Sequence, residues 1–295
     1  MFELLGIPPQ ALFGQLLLGL INGAFYAVLS LGLALIFGLL NVINFSHGAQ
    51  YMLGAYVAWL LLNYLGINYW LALLLAPVLV GAFGILLERL MLRRLYHLDH
   101  LYGLLLTFGL ALIIEGVFRQ LYGISGQSYP VPEILAGGRN LGFMFLPIYR
   151  GWVVVCSLIV CLGSWLVIEK TKLGSYLRAG TENPSLVRAF GVNVPRMITL
   201  TYGFGVGLAA LAGVLAAPIY QVKPTMGADM IIVVFAVVVI GGMGSIMGSV
   251  VTGFMLGVLE GLTKVFYPEA SNTVIFVVMA VVLLIKPAGL FGKAS

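Results

Sequence analysis

Residues 14–40 form a run of 27 residues without one charged side chain. As an α-helix that run is about 40 Å long, more than the ~30 Å hydrocarbon core of a bilayer. Apolar stretches recur at 51–65, 68–87, 101–121, 152–168, 198–217, 230–265 and 273–285. In lipid every backbone N–H and C=O must pair within the protein, so a spanning segment is a helix or a strand of a closed barrel. Barrel strands are about ten residues of alternating polarity, and these runs are longer and continuously apolar. The sequence therefore predicts an all-α, polytopic membrane protein with about eight transmembrane helices, or eight to ten if broken and half-membrane segments are counted. Composition agrees. Hydrophobic residues make up 61% and charged residues 8% of the chain, against about 25% charged in soluble domains.

The charges that remain are clustered. Residues 88–100 hold Arg89, Arg93 and Arg94, and residues 169–197 hold five of the 15 Lys and Arg side chains. Basic loops stay in the cytoplasm, and the two spans between these loops, beginning near 101 and 152, allow both to lie there. The net charge of +5 is thus an orientation signal and predicts no nucleic-acid partner. No Lys or Arg precedes Arg89, so the first apolar run is not expected to be a cleaved signal peptide. The chain reads as a single transmembrane domain over 1–295, interrupted by one long cytoplasmic loop at 169–197.

That loop contains a start and a stop. Asn183 and Pro184 suit an N-cap and the first helical position, and Gly191 suits the residue after a helix end. Glu182 suits the positive end of the same helix. Leu186, Val187 and Phe190 are expected on one side of it. So short a helix is unstable alone in water. It needs either lipid headgroups or a partner protein to cover those side chains.

Polar residues also occur where lipid is expected. Asn22 and Tyr26 lie one turn apart in the first run, placed either to line a path or to join helices. Asn44, Ser46, His47 and Gly48 follow that run directly, and the next run is short for a crossing. Residues 41–50 are therefore expected to be an unwound link or half-helix start lining a cavity. Gly241, Gly242, Gly244 and Ser245 split the stretch 230–265. They predict close packing or a helix break whose freed N–H groups face a carboxylate solute. Glu115 and Glu260 each have a basic residue four positions later, Arg119 and Lys264, as paired charges in a helix do. Cys156 and Cys161 share one apolar run and suggest neither a disulfide nor a metal site. There is no phosphate-binding loop, nucleophile elbow or H-E-x-x-H zinc motif. No enzyme, bound cofactor or metal is expected, and a pore or carrier driven by another chain fits these residues best.

Several stretches together resemble the branched-chain amino acid ABC transporter permeases of the LivH type. They are Asn44-Phe-Ser-His-Gly48 with Met52-Leu-Gly-Ala-Tyr56, then Arg178-Ala with Glu182-Asn and Ala189-Phe-Gly191, and Ala209-Ala-Leu-Ala-Gly213. Gly241-Gly-Met-Gly-Ser245 and Lys286-Pro-Ala-Gly-Leu-Phe-Gly292 complete the likeness. It implies a multi-pass permease subunit in the inner membrane of a bacterium. Its implied partners are a second related permease, two ATPase subunits that bind the ATP, and an external solute-binding protein. It also implies that Arg178, Glu182, Asn183, Pro184, Leu186, Phe190 and Gly191 form the region that couples to the ATPases. Many family members carry Glu where this chain has Ala49 and Ala where it has Ser46. Urea, amides and aromatic or other small carboxylic acids therefore stand beside amino acids as implied cargoes. A secondary transporter or solute channel working alone is the alternative from another class. It would have no need of a capped docking helix.

Overall fold

A computed structural model describes residues 8–40 and 44–292. The described chain is a helical bundle. Its long helices are α1 (Pro9–Leu40), α2 (Ser46–Leu65), α3 (Tyr69–Leu90), α4 (His100–Tyr122), α5 (Ile148–Lys170), α8 (Val194–Ala216), α9 (Met226–Gly241), α10 (Ile246–Phe266) and α11 (Val274–Ile285). Between α5 and α8 lie two short helices, α6 (Lys172–Glu182) and α7 (Pro184–Ala189). Six helices are long and apolar enough to cross a membrane, while α9 and α11 are apolar but shorter. Helix α2 reaches 20 residues but carries Ser46, His47 and Gln50 in its first turns.

The ends of these helices obey local chemistry. Asn68 caps α3 by accepting from Leu71 N at 3.0 Å, and Asp99 caps α4 by accepting from Leu101 N at 2.9 Å. Ser245 caps α10 by accepting from Gly248 N at 3.1 Å. Each cap satisfies a first-turn N–H that no helical carbonyl can reach.

Glycine decides how the helices pack. A Cβ on Gly19 or Gly23 of α1 would strike the backbone of α10 at Gly257 or Phe254. The same holds for Gly32 of α1 against Gly205 of α8, Gly81 of α3 against Gly203 of α8, and Gly48 of α2 against Gly227 of α9. Lipid tails are as apolar as leucine, so helices in a membrane associate through close backbone approach rather than through hydrophobic expulsion. Helices α1 and α8 therefore form the centre, with Phe25, Leu29, Val206 and Ala210 buried. Helices α4 and α5 present large apolar side chains outward, such as Leu105 and Ile113 on one and Ile159 and Leu162 on the other.

The two ends of the bundle differ. The basic loops and α6–α7 lie at one end. At the far end, a two-stranded antiparallel hairpin joins β1 (Gly138–Asn140) to β2 (Phe145–Pro147). Gln127 there exchanges both backbone hydrogen bonds with Val222, at 2.9 Å each. The far end is also ringed with aromatics. Tyr149 Oη donates to Tyr69 Oη at 3.1 Å, and Trp152 Nε1 donates to the same oxygen at 3.1 Å. Amphipathic rings gather at such an interface.

Three features differ from the sequence expectations. Residues 46–50 are helical, the first turn of α2, so the half-helix start describes them and the unwound link does not; 41–43 lie outside the described residues. The break at 241–245 is a tight turn at the basic end, where Gly38 of α1 meets Gly244. Finally, α9 starts at Met226, four residues before the apolar stretch that begins at 230.

Candidate functional site

Two of these helices begin inside the bundle. His47 Nε2 lies 3.0 Å from Leu29 O, and Leu29 is eleven residues from the basic end of α1, about 16 Å along its axis. Phe45 N donates to Thr107 Oγ1 of α4 at 3.2 Å, and Thr107 is seven residues into that helix, about 10 Å. Helix α2 thus starts roughly 10–16 Å inside the bundle and rises to the far end. Helix α9 starts at the same level, with Gly227 against Gly48, and descends to the basic end. The first turns of two oppositely directed helices meet there. Broken helices in membranes are tolerated where protein or water, not lipid, surrounds the break.

Polar groups fix this junction. Ser46 Oγ donates to Asn44 Oδ1 at 2.5 Å, and Asn44 Nδ2 donates to Tyr202 Oη of α8 at 3.2 Å. Gln50 Nε2 donates to Ser46 Oγ at 3.2 Å and to Tyr202 Oη at 3.4 Å. Asn44, Ser46, His47 and Gln50 are all buried. Asn44, Ser46 and His47 therefore face α1, α8 and one another rather than an open cavity, and Gly48 is pressed against α9.

Sequence reasoning missed the partners in this network. Tyr202 and Gln50 carried no motif signal, and Glu88 read as the start of a loop. Glu88 is buried in the last turn of α3. It accepts from Thr199 Oγ1 of α8 at 2.7 Å and from Tyr96 Oη at 2.9 Å. Burial, with the Glu88 carboxylate beside it, raises the Tyr96 phenol above its ordinary pKa, so it remains a donor. A buried carboxylate needs such donors. The available signal was the single acid ahead of Arg89 at the end of an apolar run.

At the basic end, α7 is capped as its sequence suggests. Asn183 Oδ1 accepts from Leu186 N at 3.0 Å and from Ser185 Oγ at 2.7 Å, with Pro184 in the first turn. Gly191 has φ 82°, a left-handed conformation that costs a side chain about 1–2 kcal/mol. The expected common face is split, however. Val187 turns inward onto Leu177, Val194 and Met197. Leu186 and Phe190 point away from the protein, and Phe190 is 80% exposed. Glu182 ends α6 one residue before the α7 cap, and Arg178 lies on α6 itself, a helix where the sequence predicts only loop. Arg178 Nη1 donates to Glu169 Oε2 at 2.9 Å.

The turn at 241–245 opens beside these charges. A cavity of about 600 Å³ is lined by Gly38, Glu169, Arg178, Glu182, Gly244 and Ser245, among others. Gly241 packs on Gly248, and Gly242, at φ 98°, packs on Gly292. The glycine turn and the α6 charges therefore share one space.

Toward the far end, Asn22 and Tyr26 join α1 to α10. Tyr26 Oη donates to Glu260 Oε2 at 2.7 Å, and Asn22 Nδ2 lies 3.5 Å from Glu260 Oε1. Tyr220 Oη donates to Asn22 Oδ1 at 3.2 Å. Glu260 is also paired with Lys264. Of the two sequence alternatives for Asn22 and Tyr26, helix joining describes this geometry. Cys156 and Cys161 are buried and unbonded to each other.

A glycine-packed bundle of membrane-length helices, with two helices that begin inside it and a capped helix exposed at its basic end, defines a multi-pass, all-α membrane permease. The chain belongs to the branched-chain amino acid transport system / permease component family, whose model matches residues 15–283. It is 30% identical over 294 residues to the high-affinity branched-chain amino acid transport system permease protein BraD of Pseudomonas aeruginosa, covering 95% of both chains. It is 28% identical over 294 residues to LivH of Escherichia coli K12, again covering 95% of both. A probable branched-chain amino acid transport permease protein LivH of Methanocaldococcus jannaschii is 32% identical over 280 residues, covering 90% of this chain and 88% of the relative.

Proposed function

We propose that this chain is the membrane-spanning subunit of an ATP-driven importer and moves branched-chain amino acids inward. Family membership over residues 15–283 carries the reading, because the relatives that align end to end are named as permeases for that cargo. The exposed Leu186 and Phe190 on a capped helix support it. In this reading α7 seats in an ATPase subunit, whose closure moves α6, and α6 shares its cavity with the turn at 241–245. The partners are two ATPases, a solute-binding protein at the far end and a second permease. In this reading the second permease is a related chain and the pair a heterodimer, and the likeness of this chain to the E. coli permease LivM, 28% identical over 293 residues, supports it. The basic end faces the cytoplasm of a bacterium, and ATP binds to the partners only.

The path runs past the α2–α9 junction to the cavity beside Gly244 and Ser245, while the Asn22–Tyr26–Glu260 group holds α1 on α10 beside it. Asn44, Ser46 and His47 hold the junction in place. The experiment is reconstitution of the permeases, ATPases and binding protein in proteoliposomes, followed by uptake of labelled leucine. Uptake that requires both ATP and the ATPases supports the proposal. Uptake by this chain without ATPases would identify a stand-alone carrier or channel instead.

A further inference from the structure

We propose that Glu115 receives the ammonium group of the transported amino acid in a cleft between α2, α4 and α9. This rests on the amino-acid reading above and adds the residue and the place. The cleft has about 70 Å³ of free space, room for a few water molecules or a short aliphatic side chain. Ala49, Met52, Phe108, Leu112 and Ile231 line it, and Glu115 is its one acidic group. It lies at the junction where α2 and α9 begin.

Glu115 lies well within the span of α4, on the side that faces the cleft. It is fifteen residues from the start of α4 and seven from its end at Tyr122, about 22 Å and 10 Å along the axis. Arg119 Nη2 donates to its Oε1 at 2.7 Å. No hydrogen bond from another described residue reaches Oε2, so that oxygen is left for a further donor.

The surroundings argue against lipid on this side. The Arg119 side chain is 51% exposed. Asp229, one residue after the cleft-lining Ala228, is 60% exposed and paired with Lys223 at 2.9 Å. Charges at membrane depth are costly against hydrocarbon and occur where water or protein faces them. The charged edge of the cleft therefore meets water or protein, while the exposed Phe108 and Leu112 keep its rim apolar. Ala49 sharpens the point. Ala49 of α2 and Glu115 of α4 line the same cleft. Helix α4 supplies from across the cleft the carboxylate that α2 lacks, and the apolar wall takes the branched side chain.

The test uses the assembled transporter in proteoliposomes, with Ala111→Cys placed in the cleft wall as a labelling site. Cys156 and Cys161 are buried and give a low background. Leucine is expected to slow maleimide labelling of position 111 roughly tenfold, the worth of one charged hydrogen bond. Its amine-free analogue, 4-methylpentanoate, is expected to give no protection. Glu115→Gln should lose the protection, and Glu115→Asp should keep part of it. Equal protection by both solutes, or full protection in Glu115→Gln, would overturn the role of Glu115. Leucine uptake without protection of position 111 would overturn the cleft while leaving the importer reading intact. A parent complex that takes up no leucine would overturn the amino-acid reading on which the proposal rests.

Discussion

Helix α7 and the α2–α9 junction are both short breaks between apolar helices, yet opposite means hold them. Helix α7 stands in water. Its shape comes from its own residues: an Asn cap, a Pro in the first turn and a left-handed Gly at the stop. The junction stands in the bundle. Phe45 at the N-cap position of α2 makes no side-chain cap, and Thr225 ahead of α9 makes none either. The junction is fixed from outside, by Gly227 against Gly48 and by Tyr202 reaching across from α8. Where water is the solvent, local chemistry specifies a break. Where lipid and protein are the solvent, distant helices specify it.

The contrast predicts different responses to mutation. Gly227→Leu should have the largest effect. Its side chain would occupy the backbone of Gly48, so the junction must separate. Overpacking typically costs about 1–3 kcal/mol, and α2 also loses its register with α9. Detergent-solubilised protein should show a lower thermal midpoint, with uptake abolished. Unchanged stability would mean the junction is looser than this packing.

Phe190→Ala should do the reverse. Phe190 is almost fully exposed, so the thermal midpoint should not move. If Phe190 is an anchor in a partner, removal costs at least about 2 kcal/mol of docking, and cargo-stimulated ATP hydrolysis should fall more than tenfold. A matching loss of stability would show that Phe190 packs within this chain instead.

Tyr202→Phe comes next. It removes the shared acceptor of Asn44 and Gln50 and leaves two buried donors poorly satisfied, at a cost of about 1–3 kcal/mol. The thermal midpoint should drop while ATPase docking survives. Asn183→Ala should be the mildest, about 1 kcal/mol for a lost cap. It should reduce uptake a few-fold and leave membrane abundance unchanged.

The same division explains what could be read from the chain. The helical class, the apolar runs and the α7 cap and stop follow from short-range patterns, and each was legible. The inward turn of Val187 was not, because it depends on Leu177 and Met197, elements away in the fold. The depth of α2 was legible only as a shortage of apolar residues after 50. The start of α9 at Met226 left no local trace, since Gly48, the neighbour of Gly227 in its first turn, is 179 positions before that glycine. Glycine itself was the underused signal. Of 38 glycines, only those at 241–248 were read as packing contacts, yet Gly19, Gly32, Gly81 and Gly227 set the distances between helices. Paired residues on separate helices cannot be matched from one sequence without knowing which helices touch. Glu88 and Tyr202 were hidden for the same reason.

The central claim is that energy enters this chain through the exposed face of α7. The most direct measurement places a photoreactive benzoylphenylalanine at position 190 in the fully assembled complex in proteoliposomes and identifies what it captures on illumination. The account predicts a covalent adduct with an ATPase subunit, stronger when ATP is bound. Adducts with lipid alone, at equal yield with and without ATP, would contradict it and make α7 a membrane-surface helix.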